Sequence, residues 1–137
     1  MSVKININDA LATFDDHWNP RVLAQLNGQD VRVAKIKGSF DWHHHEHEDE
    51  LFLVIAGQLE LRFRDKIEVL NPGEMVVVPR GVEHQPHAEE ECAILLFEPS
   101  STLNTGNVET ERTRRKLEMF ASDLGDERVD GQEAESP

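Results

Sequence analysis

From Val22 to Glu98 the chain is a succession of short runs rich in aliphatic and β-branched residues, interrupted at close intervals by turn formers. The runs are Val22–Leu26, Val31–Ile36, Leu51–Ile55, Leu59–Phe63, Lys66–Leu70, Met75–Val78 and Cys92–Phe97, each about one strand long. They break at Asn27-Gly28, Gly38, Ala56-Gly57, Arg64-Asp65, Asn71-Pro72-Gly73 and Pro79-Arg80-Gly81. Asn27-Gly28 suits two successive positive φ values, so it predicts a tight hairpin between the first two runs. Leu59, Leu61 and Phe63 alternate with Glu60, Arg62 and Arg64, giving one dry face and one wet face. This punctuation is that of an all-β antiparallel sandwich or barrel. Leu51–Ile55 is apolar on both faces, so a second sheet or a partner subunit must cover its outer side.

The flanks read differently. Residues 1–21 form an N-terminal extension in which Asn8 to Trp18 holds enough for a helical turn or two, closed by Pro20. Residues 99–121 form a C-terminal extension, with a helix expected over Glu109–Ala121 carrying Leu117, Met119 and Phe120. Residues 122–137 contain six acids and one Arg with little apolar content, so they read as a disordered, solubilising tail. At 137 residues the whole is one domain.

Charge and composition narrow the partners. Twenty-seven acids against fourteen Lys and Arg leave −13, which repels nucleic-acid backbones and anionic lipid headgroups. The longest apolar run, Leu51–Ala56, is far short of the roughly 20 residues that cross a bilayer. The N-terminus lacks the pattern of a secretory leader, and Cys92 has no second cysteine to pair with. These features place the expected home in the reducing cytoplasm. Cys92 opens an apolar run and reads as a small buried hydrophobe.

One cluster does not belong to a generic β protein: His43, His44, His45 and His47 lie beside a dense patch of acids. On a strand, alternate side chains share a face, so His43 and His45 project together while Trp42 and His44 project oppositely. Glu50 opens the next apolar run on the same side as Phe52 and Val54, and His84 follows the turn Pro79-Arg80-Gly81. Three imidazoles and one carboxylate can then converge in a barrel mouth. Two alternatives stand beside this: the acidic histidine run could be a solvated loop, or His47 could replace His45. His17, His44 and His87 read as surface or interface residues, and Trp42 as an outer packing residue.

The spacing resembles both sequence motifs of the cupin superfamily. His43-x-His45, four residues, Glu50, six residues and Gly57 match the first motif, with Gly38 one position off the leading glycine. Gly73, Pro79, Gly81 and His84 match the second, whose terminal Asn is Ala88 here. The resemblance covers Val22 to Glu98 and is similar to small, single-domain cupin-2 proteins. It implies a double-stranded β-helix, or jelly-roll barrel, binding one divalent transition metal through His43, His45, Glu50 and His84. Imidazole and carboxylate donors suit Fe, Mn, Ni, Co, Cu or Zn, and four ligands leave open positions on a metal that prefers five or six.

The function expected on this basis is a small metalloenzyme acting on a small polar molecule by isomerase or oxygenase chemistry, with Phe52, Val54, Leu61 and Phe63 excluding water. No catalytic acid or base is assigned. Small cupins of this kind often carry a mannose-6-phosphate-isomerase-like label, and such chemistry needs a phosphate-binding group, for which Arg62, Arg64 and Arg80 are the available cations. The alternative is a non-catalytic cupin that senses or stores a small molecule or metal. Similar cupins are commonly homodimers, so a second copy is the expected protein partner.

Overall fold

The computed structural model describes residues 3–120. It contains one short helix, α1 (Ile7–Leu11), and eight strands: β1 (Arg21–Leu26), β2 (Gln29–Ser39), β3 (Glu50–Ala56), β4 (Leu59–Phe63), β5 (Ile67–Leu70), β6 (Met75–Val78), β7 (His84–Pro99) and β8 (Glu118–Met119). The hairpin expected at Asn27-Gly28 joins β1 to β2, with φ of 52° and 76° at those two residues. Asn and Gly are the residues that tolerate this left-handed pair at least cost.

Strand β7 positions everything else. On one side it runs antiparallel to β2 from Gln29↔Pro99 to Ser39↔His87, with an irregularity between Ile36 and Gly38. On its other side the first part, from His84 to His87, pairs with β4, and the later part, from Ala93 to Phe97, pairs with β3. A strand that exchanges one neighbour for another part-way belongs to two sheets at once, and this rolls the pairings into a jelly-roll barrel. The remaining order is β5-β4-β7-β2-β1-β8, with β6 on the far side of β3. Cys92–Phe97 is therefore only the second half of the strand; exposed Glu89, Glu90 and Glu91 separate it from the His84 half.

The interior is built from alternate residues of these strands. Phe52 and Val54 of β3, Leu59 and Leu61 of β4, and Ile94 and Leu96 of β7 form its centre. Gly57 closes the β3–β4 turn at φ +86°, and a Cβ there would stand 2.7 Å from the Glu91 carbonyl oxygen and 2.9 Å from the Cys92 Cα. Only glycine permits β7 to pass this close. Cys92 is buried in the same core, and burial pushes its thiol up to about 11.

The double-faced hydrophobicity of Leu51–Ile55 is resolved in two ways. Ile55 packs under α1, whose Ala10 and Leu11, with Phe14 just beyond, cover Leu23, Val33 and Ala93. The cap of α1 is Asn6, two residues before the expected Asn8, and its side chain accepts the Asp9 N–H at 2.9 Å. Leu51 and Leu53 stay half-buried and pair with Val77 and Met75 of β6, which are 50% and 61% exposed.

The expected helix over Glu109–Ala121 is corrected. Its described part, through Phe120, forms turns and the two-residue β8, which adds parallel to β1 at Arg21↔Glu118. Local side chains take the backbone donors that a helix needs: Thr113 Oγ1 accepts from Thr110 N–H, Thr110 Oγ1 from Arg112 N–H, and Asn104 Oδ1 from Arg114 N–H. The acidic tail over 122–137 lies outside the described residues. Among the described residues no helix is long and apolar enough to cross a membrane.

Candidate metal centre

The segment from Trp42 to His45 is not a regular strand, as the alternation argument expected, but an extended stretch held by one bridge. In that bridge His43 N–H donates to His84 O at 3.0 Å and His84 N–H donates to His43 O at 2.9 Å. The same-side placement of His43 and His45 survives, because both are buried while His44 is half-buried and His47 is exposed. Glu50 is the first residue of β3 and His84 the first of β7. The turn that aims His84 is tied back to this loop, since Gly81 N–H donates to His45 O at 2.8 Å. One ligand atom from each of His43, His45, Glu50 and His84 lies within 4.8 Å of the others, and all four residues are buried.

Backbone contacts decide which imidazole nitrogens face the centre. Nδ1 of His43 is 2.8 Å from Asp41 O, and Nδ1 of His84 is 2.9 Å from Val82 O. A carbonyl only accepts, so each Nδ1 carries the proton and each Nε2 presents a lone pair. His45 Nε2 and His84 Nε2 stand 3.2 and 3.3 Å from Glu50 Oε1, yet none of these three buried atoms has a hydrogen-bond partner among the described residues. Buried polar atoms are rarely left so, and converging lone pairs of this kind are what a divalent cation satisfies.

Electrostatics agree. Burial works against the Glu50 charge, but His45 and His84 outweigh it and hold the carboxyl well below the usual carboxylate range. Burial, followed by the neighbouring His84, lowers His43 to about 4, so its imidazole is neutral near neutral pH. A neutral imidazole and an ionised carboxylate are the forms that bind metal.

Beside the four residues a cavity of about 40 Å³ opens into the barrel, reached by His43 and Glu50 and walled by Trp18, Ile36, Phe40 and Phe52. Trp18 and Phe40 are stacked with centroids 4.7 Å apart. Of the residues expected to exclude water, Phe52 lines this cavity, Val54 and Leu61 belong to the core, and Phe63 packs against that core. Arg62, Arg64 and Arg80 lie outside it, pairing with Glu60, Glu83 and Asp49. Trp42 sits under the Arg64 guanidinium, 3.8 Å from its ring centroid.

Three features of the centre escaped the sequence reading. Glu98 also lines the cavity; its burial and the nearby Glu50 charge hold its carboxyl well above the ordinary range. Arg32 binds Glu98 at 2.8 Å and Asp30 at 2.9 Å, forming a buried polar network around one guanidinium. The C-terminal extension also braces the histidine loop: Asn107 Oδ1 accepts the His44 N–H, and Asn107 N–H donates to His44 O. The available signal for the network was alternation, because Asp30 and Arg32 share the face of Ala34 and Ile36, and Glu98 that of Ile94 and Leu96.

The family model for the cupin domain matches residues 29–98, just over half of the chain. The chain belongs to the cupin family. This cupin is 47% identical to a cupin-2 domain protein of known structure from Shewanella frigidimarina, with a TM-score of 0.69 over 69% of this chain and 93% of that one. A Neisseria meningitidis protein of known structure is 30% identical, with a TM-score of 0.66 over 72% of this chain and 100% of that one. Among curated proteins, the uncharacterized protein YdbB of Bacillus subtilis is 39% identical over 64 residues, 46% of this chain. The chain spans 57% of the length of that curated relative.

Proposed function

We propose that this cupin is a metalloenzyme that holds one divalent transition metal through His43, His45, Glu50 and His84 and acts on a small molecule in the adjoining cavity. The observation that carries the reading is the convergence of four buried ligand atoms within 4.8 Å at the edge of an apolar cavity. A metal bound there would supply a Lewis acid for substrate oxygen, the chemistry that isomerisation and oxygenation both use. The chain's own residues do the rest. Asp41 and Val82 carbonyls fix the histidine tautomers, Glu50 supplies the anionic donor, and Trp18, Phe40 and Phe52 keep water from the cavity.

The lining also bears on substrate. None of the described side chains that wall the cavity is Lys or Arg, and Arg62, Arg64 and Arg80 are engaged on the surface. The cation beside the aromatic wall is Arg112, whose guanidinium lies 5.5 Å from the Trp18 ring centroid and 5.4 Å from that of Phe40 without itself lining the cavity, so an unphosphorylated small molecule fits the lining better.

The test is metal analysis of protein purified without chelator, followed by screens for oxygen consumption and for isomerisation of small carbonyl compounds. Turnover that is lost in His45→Ala supports an enzyme. Tight ligand binding without turnover points instead to a sensor or storage protein, and absence of any bound metal overturns the reading.

We further propose that two copies pair through the outer face of β3 and β6. Leu51 and Leu53 leave apolar surface there beside exposed Met75 and Val77, and a patch of this kind on an otherwise strongly charged chain suits a second copy of itself.

A further inference from the structure

Part of the cavity wall comes from outside the barrel motifs. Trp18 and Pro20 precede the segment matched by the cupin family model, residues 29–98, and Asn104 follows it. Trp18 is half-buried, and its φ is +62°, a left-handed backbone that a bulky residue rarely adopts. Three contacts hold it there. Its backbone N–H donates to Lys35 O at 2.9 Å, its indole Nε1–H donates to Lys37 O at 3.0 Å, and its ring stacks on Phe40 at 4.7 Å. Arg112 adds a cation to the stack and is itself fixed, donating from Nη1 to Ser39 O at 2.9 Å. Strain of this kind persists where the surroundings over-determine it, and it collects at ligand clamps.

What the wall encloses describes the molecule it would hold. Phe40 meets the His43 ring edge-on at 5.5 Å and Phe52 meets that of His84 at 6.0 Å, so hydrocarbon surface begins directly beside the metal ligands. Ile36, Ile94 and Leu96 continue it. The polar groups of the lining are already engaged. Glu98 is held by Arg32 with Glu50 beside it, while Asn104 Nδ2 donates to Arg112 O and its Oδ1 accepts the Arg114 N–H. A cavity of about 40 Å³ has room for about three water-sized groups, so a molecule extending from the ligand cluster soon meets Trp18. A divalent ion held by three imidazoles and a single carboxylate keeps one net positive charge, which an anionic oxygen head offsets.

We propose that Trp18 is a specificity-determining residue that limits this site to short-chain aliphatic carboxylates. The carboxylate head lies at the metal, a chain of about three carbons lies against Phe40 and Phe52, and the indole ring stops anything longer. This rests on the metal reading above and names the substrate class for the same site.

The experiment uses the full chain loaded with cobalt, whose visible spectrum shifts when a ligand joins the metal. Acetate, butyrate and octanoate are titrated into wild type, Trp18→Gly and Trp18→Phe. Glycine removes the ring and accepts the left-handed backbone without strain, so this variant opens the wall at little cost to the fold. Wild type is expected to bind butyrate more tightly than acetate, and octanoate at least about tenfold more weakly than butyrate. In Trp18→Gly the ratio of octanoate to butyrate affinity should rise by about tenfold, while cobalt affinity stays within about twofold. A loss of packing alone would lower all three affinities together and leave that ratio where it was. Trp18→Phe keeps a ring on Phe40 and serves if the glycine variant does not fold; its smaller ring should raise the ratio in the same direction. An unchanged ratio in a folded variant, octanoate bound by wild type as tightly as butyrate, or no shift of the cobalt spectrum by any of the three overturns the proposal. Failure to bind cobalt at all overturns the metal reading and this one with it, whereas cobalt binding without the preference for short chains overturns this one alone.

Discussion

Acid should destabilise the metal-free protein through His43. The unfolded chain takes up a proton on that imidazole near its ordinary 6.5, whereas burial and the neighbouring His84 delay uptake in the folded chain to about 4. Between these values the unfolded state binds more protons, so stability is lost as pH falls through the window and is fully present above it. The displacement from 6.5 to about 4, at 1.36 kcal/mol per unit, corresponds to about 3 kcal/mol. Against a typical domain stability of about 5–15 kcal/mol this is a large fraction. Two other groups titrate nearby with opposite signs. The lowered Glu50 loses stabilisation as pH falls further, and the raised Glu98 is relieved by acid. His43→Asn separates them, since an Asn amide can still donate to the Asp41 carbonyl and does not titrate. Urea unfolding in chelator, repeated from pH 7 to pH 4, should show the wild-type midpoint falling about 1–3 M further than the variant's, given a slope of about 1–3 kcal/mol/M. Parallel pH profiles for the two proteins would refute the assignment.

Other outcomes follow from packing and binding. Gly57→Ala places a side chain at φ +86° against the backbone of Glu91 and Cys92, and should destabilise by about 2–4 kcal/mol, the left-handed strain alone accounting for about 1–2; a wild-type urea midpoint would contradict the close approach. Because the barrel has its own apolar core, chelator should lower the melting temperature without unfolding the chain at room temperature, and metal at about a hundred times its dissociation constant should add about 2.7 kcal/mol. Scanning calorimetry with and without metal reads this, and the gain should vanish in His45→Ala. Val77→Asp puts a charge on the half-exposed outer face of β6 and should convert a dimer to a monomer in sedimentation velocity without lowering metal affinity; a variant that remains dimeric places the contact elsewhere.

The sequence alone determined the strand-and-turn grammar of the barrel and the four residues that meet at its mouth. Both are short-range properties: alternation sets faces, Asn27-Gly28 sets a hairpin, and turn residues set where His84 begins its strand. Tertiary structure decided what local patterns cannot encode. Whether Glu109 onward becomes a helix depended on Asn104, Thr110 and Thr113 competing for its backbone donors, and whether Leu51–Ile55 needed a partner depended on how far α1 reaches across the sheet. Glu98 is the sharpest case. Its position reads as the polar end of an apolar strand, and only the folding of β2 against β7 brings Asp30 and Arg32 to hold one of its oxygens, with the Glu50 charge beside it. A charged group's role is fixed by which charges surround it after folding, and those come from residues 66 and 68 positions apart in the chain, Arg32 and Asp30 against Glu98.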